Sequence, residues 1–395
     1  MDGTDARTDR GARGMSARAP TVLHLVPALD DGHGGLSVRE LVRGLAAAGH
    51  RLFVAGGAGV AAIEFAGARV VEVELSASPL ALWRAAMRLE ALVRAEGVDL
   101  LHAHGELAAA VAHRLARRTR RPWVASLDDA APAAARWLAS LGLDGRAQAD
   151  RVVVPSEDVA ERLARVGEVP PARARVVAPA IDLERFDPAR VDGRRRRHLR
   201  QRWGLAMDRP LVVLPGPVVR RGGHLELLRA LKRVGRADAL AVFAAEGAGD
   251  AAYRKQVELF ARTAGMGAQM LFAELDDDRP AALALADVVA LPTVETPPPA
   301  APAALEAQAM GTPVVVHAIG ALPEALMPAA TGWLVEEGDV DGLAEALRLA
   351  LAMPEAVRAR TAERARAFVA EQFAARRAVA AVRDVYAELA PVTAS

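Results

Sequence analysis

The sequence predicts an α/β protein with two doubly wound parallel-sheet domains of similar size facing a central cleft. Three observations lead there. Short apolar, partly β-branched runs alternate with Ala-, Leu- and Arg-rich segments of helical period along most of the chain, the pattern of parallel strands joined by crossover helices. The 395 residues suffice for two or three separate cores. The alternation stops once, over 170–210, where prolines and the basic run 194–197 replace any long apolar period, and then restarts.

In the first half, strands are expected over 21–26, 51–55, 70–74, 99–102, 123–126 and 151–155. Between them the helical period runs over 36–48, 80–96, 106–117 and 131–141, with 157–166 after the last strand. The second half repeats the scheme, with strands over 211–214, 240–244, 269–272, 288–291 and 313–316. Its helices are expected over 223–234, 251–264, 280–286, 302–310 and 343–351, and one long helical segment, 355–389, closes the chain. The division is a disordered leader over 1–19, a first domain over 20–190, a linker over 191–209, a second domain over 210–372 and a final helix and tail over 373–395. Folds of this kind bind ligands beyond the carboxyl ends of their strands.

Composition removes several classes of function. There is no cysteine, so disulfide scaffolds, thiolate metal sites and cysteine nucleophiles are excluded together. The 50 basic side chains nearly balance 49 acidic ones, against the basic excess that nucleic-acid binding requires. A chain that is 52% apolar but only 4% aromatic builds its core from Ala, Leu and Val. Lysine occurs only at Lys232 and Lys255, so chemistry that needs a lysine has two candidates. No span reaches the roughly 18 uninterrupted apolar residues of a membrane helix, and the leader lacks the apolar centre of a secretory signal. The expected compartment is the cytoplasm.

Two strand-to-helix turns are rich in glycine. The first contains Gly34 and Gly35; the second runs Leu214-Pro-Gly-Pro-Val-Val-Arg-Arg-Gly-Gly-His224 and includes Gly216 and Gly223. Such turns let backbone N–H groups approach a phosphate at a helix N-terminus, though a plain tight turn explains either one equally well. The run 194–197 reads as a solvated helix or linker face rather than a nucleic-acid site. The three aspartates 276–278 cannot all converge on one ion from a strand-to-helix turn, and Asp277 or Asp278 reads as a helix N-cap before Arg279-Pro280.

The segment from Ala286 to Val316, with Leu305-Glu-Ala-Gln-Ala-Met-Gly-Thr-Pro313 at its centre, carries the strongest signal. With Leu101-His-Ala-His104, Asp150-Arg-Val-Val-Val-Pro-Ser-Glu157, Gly320-Ala-Leu-Pro-Glu324 and Thr331-Gly-Trp-Leu-Val-Glu-Glu-Gly-Asp339, it resembles the family-4 glycosyltransferases, retaining enzymes of the GT-B fold. The resemblance covers about 20–355 in order and is nearest to the bacterial lipopolysaccharide-core and polysaccharide branch. It implies a nucleotide-sugar donor, UDP- or GDP-linked, a glycan or lipid-linked acceptor, no metal or other cofactor, and a C-terminal helix crossing back to the first domain.

The same resemblance exposes departures in the site. The family holds the donor diphosphate with an arginine just after the first glycine of the second-domain turn and a lysine five residues later; these places hold Pro217 and Gly222. Fixed cations there would stabilise the leaving diphosphate as its charge grows. Of the family's two glutamates eight residues apart, the second is present as Glu306, implied to contact the ribose, while the first falls on Pro298. A histidine after strand 123–126 is replaced by Asp128, the usual Glu-Arg pair after Gly34-Gly35 by Ser37-Val38, and the hinge glycine by Ala180.

Rescue would come from nearby side chains. Arg220 or Arg221 would reach the diphosphate after a small shift of the turn, and Glu295 would return to the cleft if its loop rearranged. The triple proline 297–299 opposes that rearrangement. Surface charge beside a loop is the competing reading for each. His104 is read equally as a cleft residue or a satisfied strand-end imidazole, and Glu324 as a site carboxylate or an exposed helix-start one. The residues expected to matter are therefore Asp128 and Glu295 for chemistry, and Gly34, Gly35, Gly216, Arg220, Arg221, Gly223 and Glu306 for the donor. Three functions remain open: a transferase-like protein with an eroded site, an active retaining transferase with relocated residues, and a non-catalytic partner of a homologous transferase. Peripheral contact with the inner membrane face stays open with them.

Overall fold

A computed structural model describes residues 19–26, 33–57, 67–75, 78–127, 148–206, 209–245, 249–275, 278–294 and 300–390. Two all-parallel sheets organise them. The first has seven strands in the order β3-β2-β1-β4-β5-β6-β7: β1 Val22–Val26, β2 Leu52–Gly56, β3 Ala68–Glu72, β4 Leu100–His104, β5 Trp123–Ser126, β6 Arg151–Val154 and β7 Ala174–Val176. The second has six in the order β10-β9-β8-β11-β12-β13: β8 Leu211–Pro215, β9 Leu240–Ala245, β10 Met270–Glu274, β11 Val288–Leu291, β12 Val314–His317 and β13 Gly332–Val335. The order reverses beside β1 and β8, the place where doubly wound folds open a crevice at the strands' carboxyl ends.

The helices of the first half are α1 His33–Ala47, α2 Pro79–Ala95, α3 Glu106–Thr119 and α4 Glu157–Arg165. Those that follow are α5 Gly193–Arg202, α6 His224–Val234, α7 Ala251–Thr263, α8 Arg279–Leu285, α9 Ala300–Ala309, α10 Val340–Leu351, α11 Glu355–Gln372 and α12 Ala375–Leu389. The inner strands are buried on both faces, β1, β2, β8 and β11 along their whole length. That is why they read as continuous apolar runs rather than as alternations.

The structure differs from the sequence expectations in several places. Strand β3 lies two residues earlier than expected, because its half-exposed edge position leaves no clean apolar boundary. The stretch expected to be a connection holds β7 and α5; Leu199 and Trp203 at the end of α5 pack into the second core. That core also takes Ile181 and Phe186 from the expected first domain and Val191 from the expected linker. Strand β13 was not anticipated, and the long closing segment is two helices broken at Phe373 and Ala374. At that break Ile181 N–H donates to the Phe373 carbonyl at 2.9 Å. Helix α12 then lays Val379, Val382, Val385 and Tyr386 against Val22, Val54, Leu100 and Val124 of the first sheet. The expected helix 131–141 and the leader, apart from residue 19, lie outside the described residues.

Candidate functional site

The crevice is built from the carboxyl ends of both sheets. On the second, β8 is followed by Gly216, whose φ of 122° suits glycine, and the chain turns through a single 3-10 turn, Arg220–Gly222, into α6. Gly223 sits at φ 79°, and a Cβ there would lie 1.9 Å from the Pro292 carbonyl oxygen, so only glycine fits. The turn is held against the segment after β11 by Val294 N–H donating to the Arg221 carbonyl at 3.1 Å. His317 at the end of β12 bonds the Thr293 carbonyl from the other side, at 2.9 Å.

Arg220 and Arg221 are both exposed. The Arg220 guanidinium lies 5.6 Å from the Tyr253 ring centroid on α7, a cation–π distance. His224, the first residue of α6, is fully buried against Phe243 and Tyr253, and burial pushes its pKa down to about 4. A Cβ built on Gly222 would fall 2.5 Å from His224 Cε1. The imidazole thus fills the space that any side chain at 222 would enter.

Glu306 stands on α9 with its side chain 5% exposed, and its carboxylate accepts a 2.5 Å hydrogen bond from Nε of Arg279, itself 4% exposed. The sequence pattern singles out Glu306 and passes over Arg279, which reads as an ordinary helix-start residue; a separation of 27 positions carries no local signal. Asp278, one of the two aspartates proposed as the N-cap, accepts from Ala281 N–H at 3.1 Å and clamps Arg195 of α5. One member of the basic run 194–197 is therefore spent on an ion pair.

On the first sheet, Gly34 and Gly35 fall inside the first turn of α1, which starts three residues earlier than the period suggested. Asp128 and Glu295 lie outside the described residues. The unexpected feature is a set of imidazoles along β1 and β4: His24 and His102 at mid-strand and His104 at the end of β4. His24 Nδ1 and His104 Nε2 are 3.0 Å apart, and His102 lies 2.6 Å from the Tyr386 hydroxyl through Nδ1 and 2.8 Å from Ser126 Oγ through Nε2. Burial, then the charge of His104, would penalise protonating His24 and His102, whose pKa values fall well below the ordinary imidazole range. Burial takes His104 to about 4. All three are neutral near pH 7, so each has one N–H and one lone pair.

With the Tyr386 O–H donating to His102, the His102 Nε2–H is the one that donates to Ser126. One nitrogen of each of the three lies within 4.8 Å of the others, the spacing of a metal site in outline. The His24 and His104 rings are within 13° of parallel and already bonded to each other, and His102 has both nitrogens engaged. The arrangement is a hydrogen-bonded cluster, and it ties the last helix to the middle of β4. Only His104 of this set was marked in the sequence.

The two halves meet at Glu324. Its carboxylate accepts from the Glu157 and Asp158 amides, each at 3.1 Å, and so caps the N-terminus of α4 across the crevice.

Comparison with known proteins now decides the family. Residues 34–185 match the model of Glycosyltransferase Family 4, and residues 195–368 match Glycosyl transferases group 1. This is a family-4-like chain of the GT-B glycosyltransferase fold. Among curated relatives, the chain is 34% identical over 245 residues to a D-inositol 3-phosphate glycosyltransferase of Xylanimonas cellulosilytica. That match covers 61% of this chain and 58% of the relative, so the GT-B chain aligns with little more than half of the protein it resembles. The relative's name concerns an inositol phosphate and not a lipopolysaccharide. A glycosyltransferase of Rickettsia africae superposes with a TM-score of 0.81 at 18% identity, covering 95% of this chain and 99% of that one. Anabaena Alr3699/HepE in complex with UDP superposes at 0.79 and 19% identity, covering 93% and 100%. At such identities these neighbours show the fold.

Proposed function

We propose that this GT-B chain takes a nucleotide sugar between its two sheets and has an eroded diphosphate site, so that transfer is weak or absent. One observation carries the reading. At the position where the family resemblance expects a lysine, the chain has Gly222, and the buried neutral ring of His224 occupies the space a side chain would need. A neutral imidazole supplies no fixed positive charge for a leaving diphosphate. A UDP-linked donor is favoured because the Anabaena neighbour was solved with UDP and with UDP-glucose. On this reading the pathway is assembly of a cell-surface polysaccharide or lipopolysaccharide at the cytoplasmic face of the membrane, and no metal is needed. The name shared by the curated relatives favours a phosphorylated cyclitol as a second acceptor class.

Titration calorimetry with UDP and UDP-glucose, followed by donor hydrolysis, tests the proposal. Weak binding and near-background hydrolysis are expected. Installing a cation at the exposed first place, Pro217→Arg, should tighten UDP binding by about tenfold, an ordinary gain for a charge-assisted contact of roughly 1.4 kcal/mol. Clear turnover by the unaltered chain that disappears in Arg221→Ala would sink this reading and favour an active transferase with relocated residues. Stable co-purification with an active homologous transferase would favour the non-catalytic partner instead.

A further inference from the structure

We propose that Arg279 takes the ribose carboxylate out of donor recognition, so that this chain accepts 2′-deoxyribonucleoside diphosphates as readily as ribonucleoside diphosphates. The inference rests on the donor reading above and narrows it, because it names the part of the nucleotide that goes unread. Glu306, in the second turn of α9, is the residue that the family resemblance assigns to the ribose. A carboxylate reads a ribose through its oxygens, which accept from the ring hydroxyls. Here one of those oxygens is already engaged.

Nε of Arg279 donates to Glu306 Oε2 at 2.5 Å, and the two side chains are 4% and 5% exposed. A surface arginine would swing into water to make room for a ligand. Buried this deeply, Arg279 cannot leave without stranding two charges in a dry interior. Its guanidinium also cancels the carboxylate's charge in place, which leaves Glu306 a weaker acceptor for a hydroxyl than a bare carboxylate.

The packing keeps the pair closed. Arg279 opens α8, and the residue before it is fixed twice. Asp278 accepts from Ala281 N–H at 3.1 Å, and it takes a forked contact from Arg195 of α5, Nε to Oδ2 at 2.8 Å and Nη2 to Oδ1 at 2.7 Å. Beyond the end of α9, Thr312 Oγ1 donates to the Leu283 carbonyl of α8 at 2.7 Å in the buried interior. Helices α8 and α9 are thus tied on both sides of the ion pair.

The arrangement also suits the rest of the site. Pro217 and Gly222 stand where the resemblance expects an arginine and a lysine. A bare carboxylate at the ribose would add its repulsion to a diphosphate that lacks those cations. Paired with Arg279, Glu306 adds little.

Titration calorimetry of the full chain with UDP, 2′-deoxyuridine diphosphate and 2′,3′-dideoxyuridine diphosphate tests the inference. All should bind within about threefold of one another, whereas a hydroxyl read by a bare carboxylate is worth about tenfold or more. Arg279→Met should raise the preference for UDP over the dideoxy form to about tenfold. An arginine that served only to join α8 to α9 would leave that ratio unmoved. Thermal melting establishes whether the variant is folded at the titration temperature, and the comparison on the unaltered chain decides the matter if it is not. A larger preference for UDP in the unaltered chain overturns the inference and leaves the donor reading standing, as does a folded Arg279→Met chain without preference. Failure of all the diphosphates to bind overturns the donor reading and the inference with it.

Discussion

The two halves of the crevice solve the same problem in opposite ways. Both bury polar side chains where unpaired groups are costly, the first on its central strands and the second between two helices. The first sheet uses neutral groups: His24, His102 and His104, joined to Ser126 and Tyr386 by hydrogen bonds. The second uses charge, with Glu306 held against Arg279 almost out of contact with water. Neutral imidazoles are sensitive to acid. A buried ion pair is intolerant of losing one partner.

The largest expected effect comes from breaking the charged half. Arg279→Met leaves the Glu306 carboxylate buried without this partner, and should cost about 3–5 kcal/mol in urea unfolding. Arg279→Met combined with Glu306→Leu should recover most of that loss. If the double variant is as weak as the single one, packing rather than charge holds α8 to α9.

The neutral half predicts an acid-sensitive fold. The pKa values of His24, His102, His104 and His224 are all depressed from 6.5, so the unfolded chain binds more protons than the folded one below that value. Stability is therefore full above about pH 6.5 and falls as pH drops toward the folded values, about 4 for His104 and His224. The buried His224 contributes up to roughly 3 kcal/mol of that fall. Urea midpoints at pH 7 and pH 5 check the sign, and a midpoint unchanged between them would refute it.

The smallest effect concerns the link between halves. Glu324→Ala removes the carboxylate that caps α4 and should cost about 1 kcal/mol. Because the cap crosses the crevice, small-angle scattering should also show a more open molecule. An unchanged radius of gyration would mean that the cap only stabilises the helix.

Much of the fold was legible because parallel strands buried on both faces leave short apolar runs that cannot be mistaken for amphipathic surface. Strand β11, Val288–Leu291, and strand β5, Trp123–Ser126, match the expected bounds. Strand β7 was missed because it is short, lies at an edge and is half exposed, so it lacks that signature. The break at Phe373 and Ala374 was missed because neither residue is a helix breaker; the hydrogen bond from Ile181 and the fit of α12 on the first sheet turn the chain there. In the candidate site, Gly216 and Gly223 were legible as glycines that a strand-to-helix turn requires, and their positive φ values are the reason. Asp128 and Glu295 lie outside the described residues.

The sequence alone determined the two-sheet architecture, the glycine turns and the want of a lysine at the second turn, since each is written in local periodicity or residue identity. The tertiary structure decided the partners. Glu306 meets Arg279 across 27 positions, His102 meets Tyr386 across 284, and His224 closes the space above Gly222. Such pairings depend on how helices pack on the sheets, and no local pattern encodes that packing.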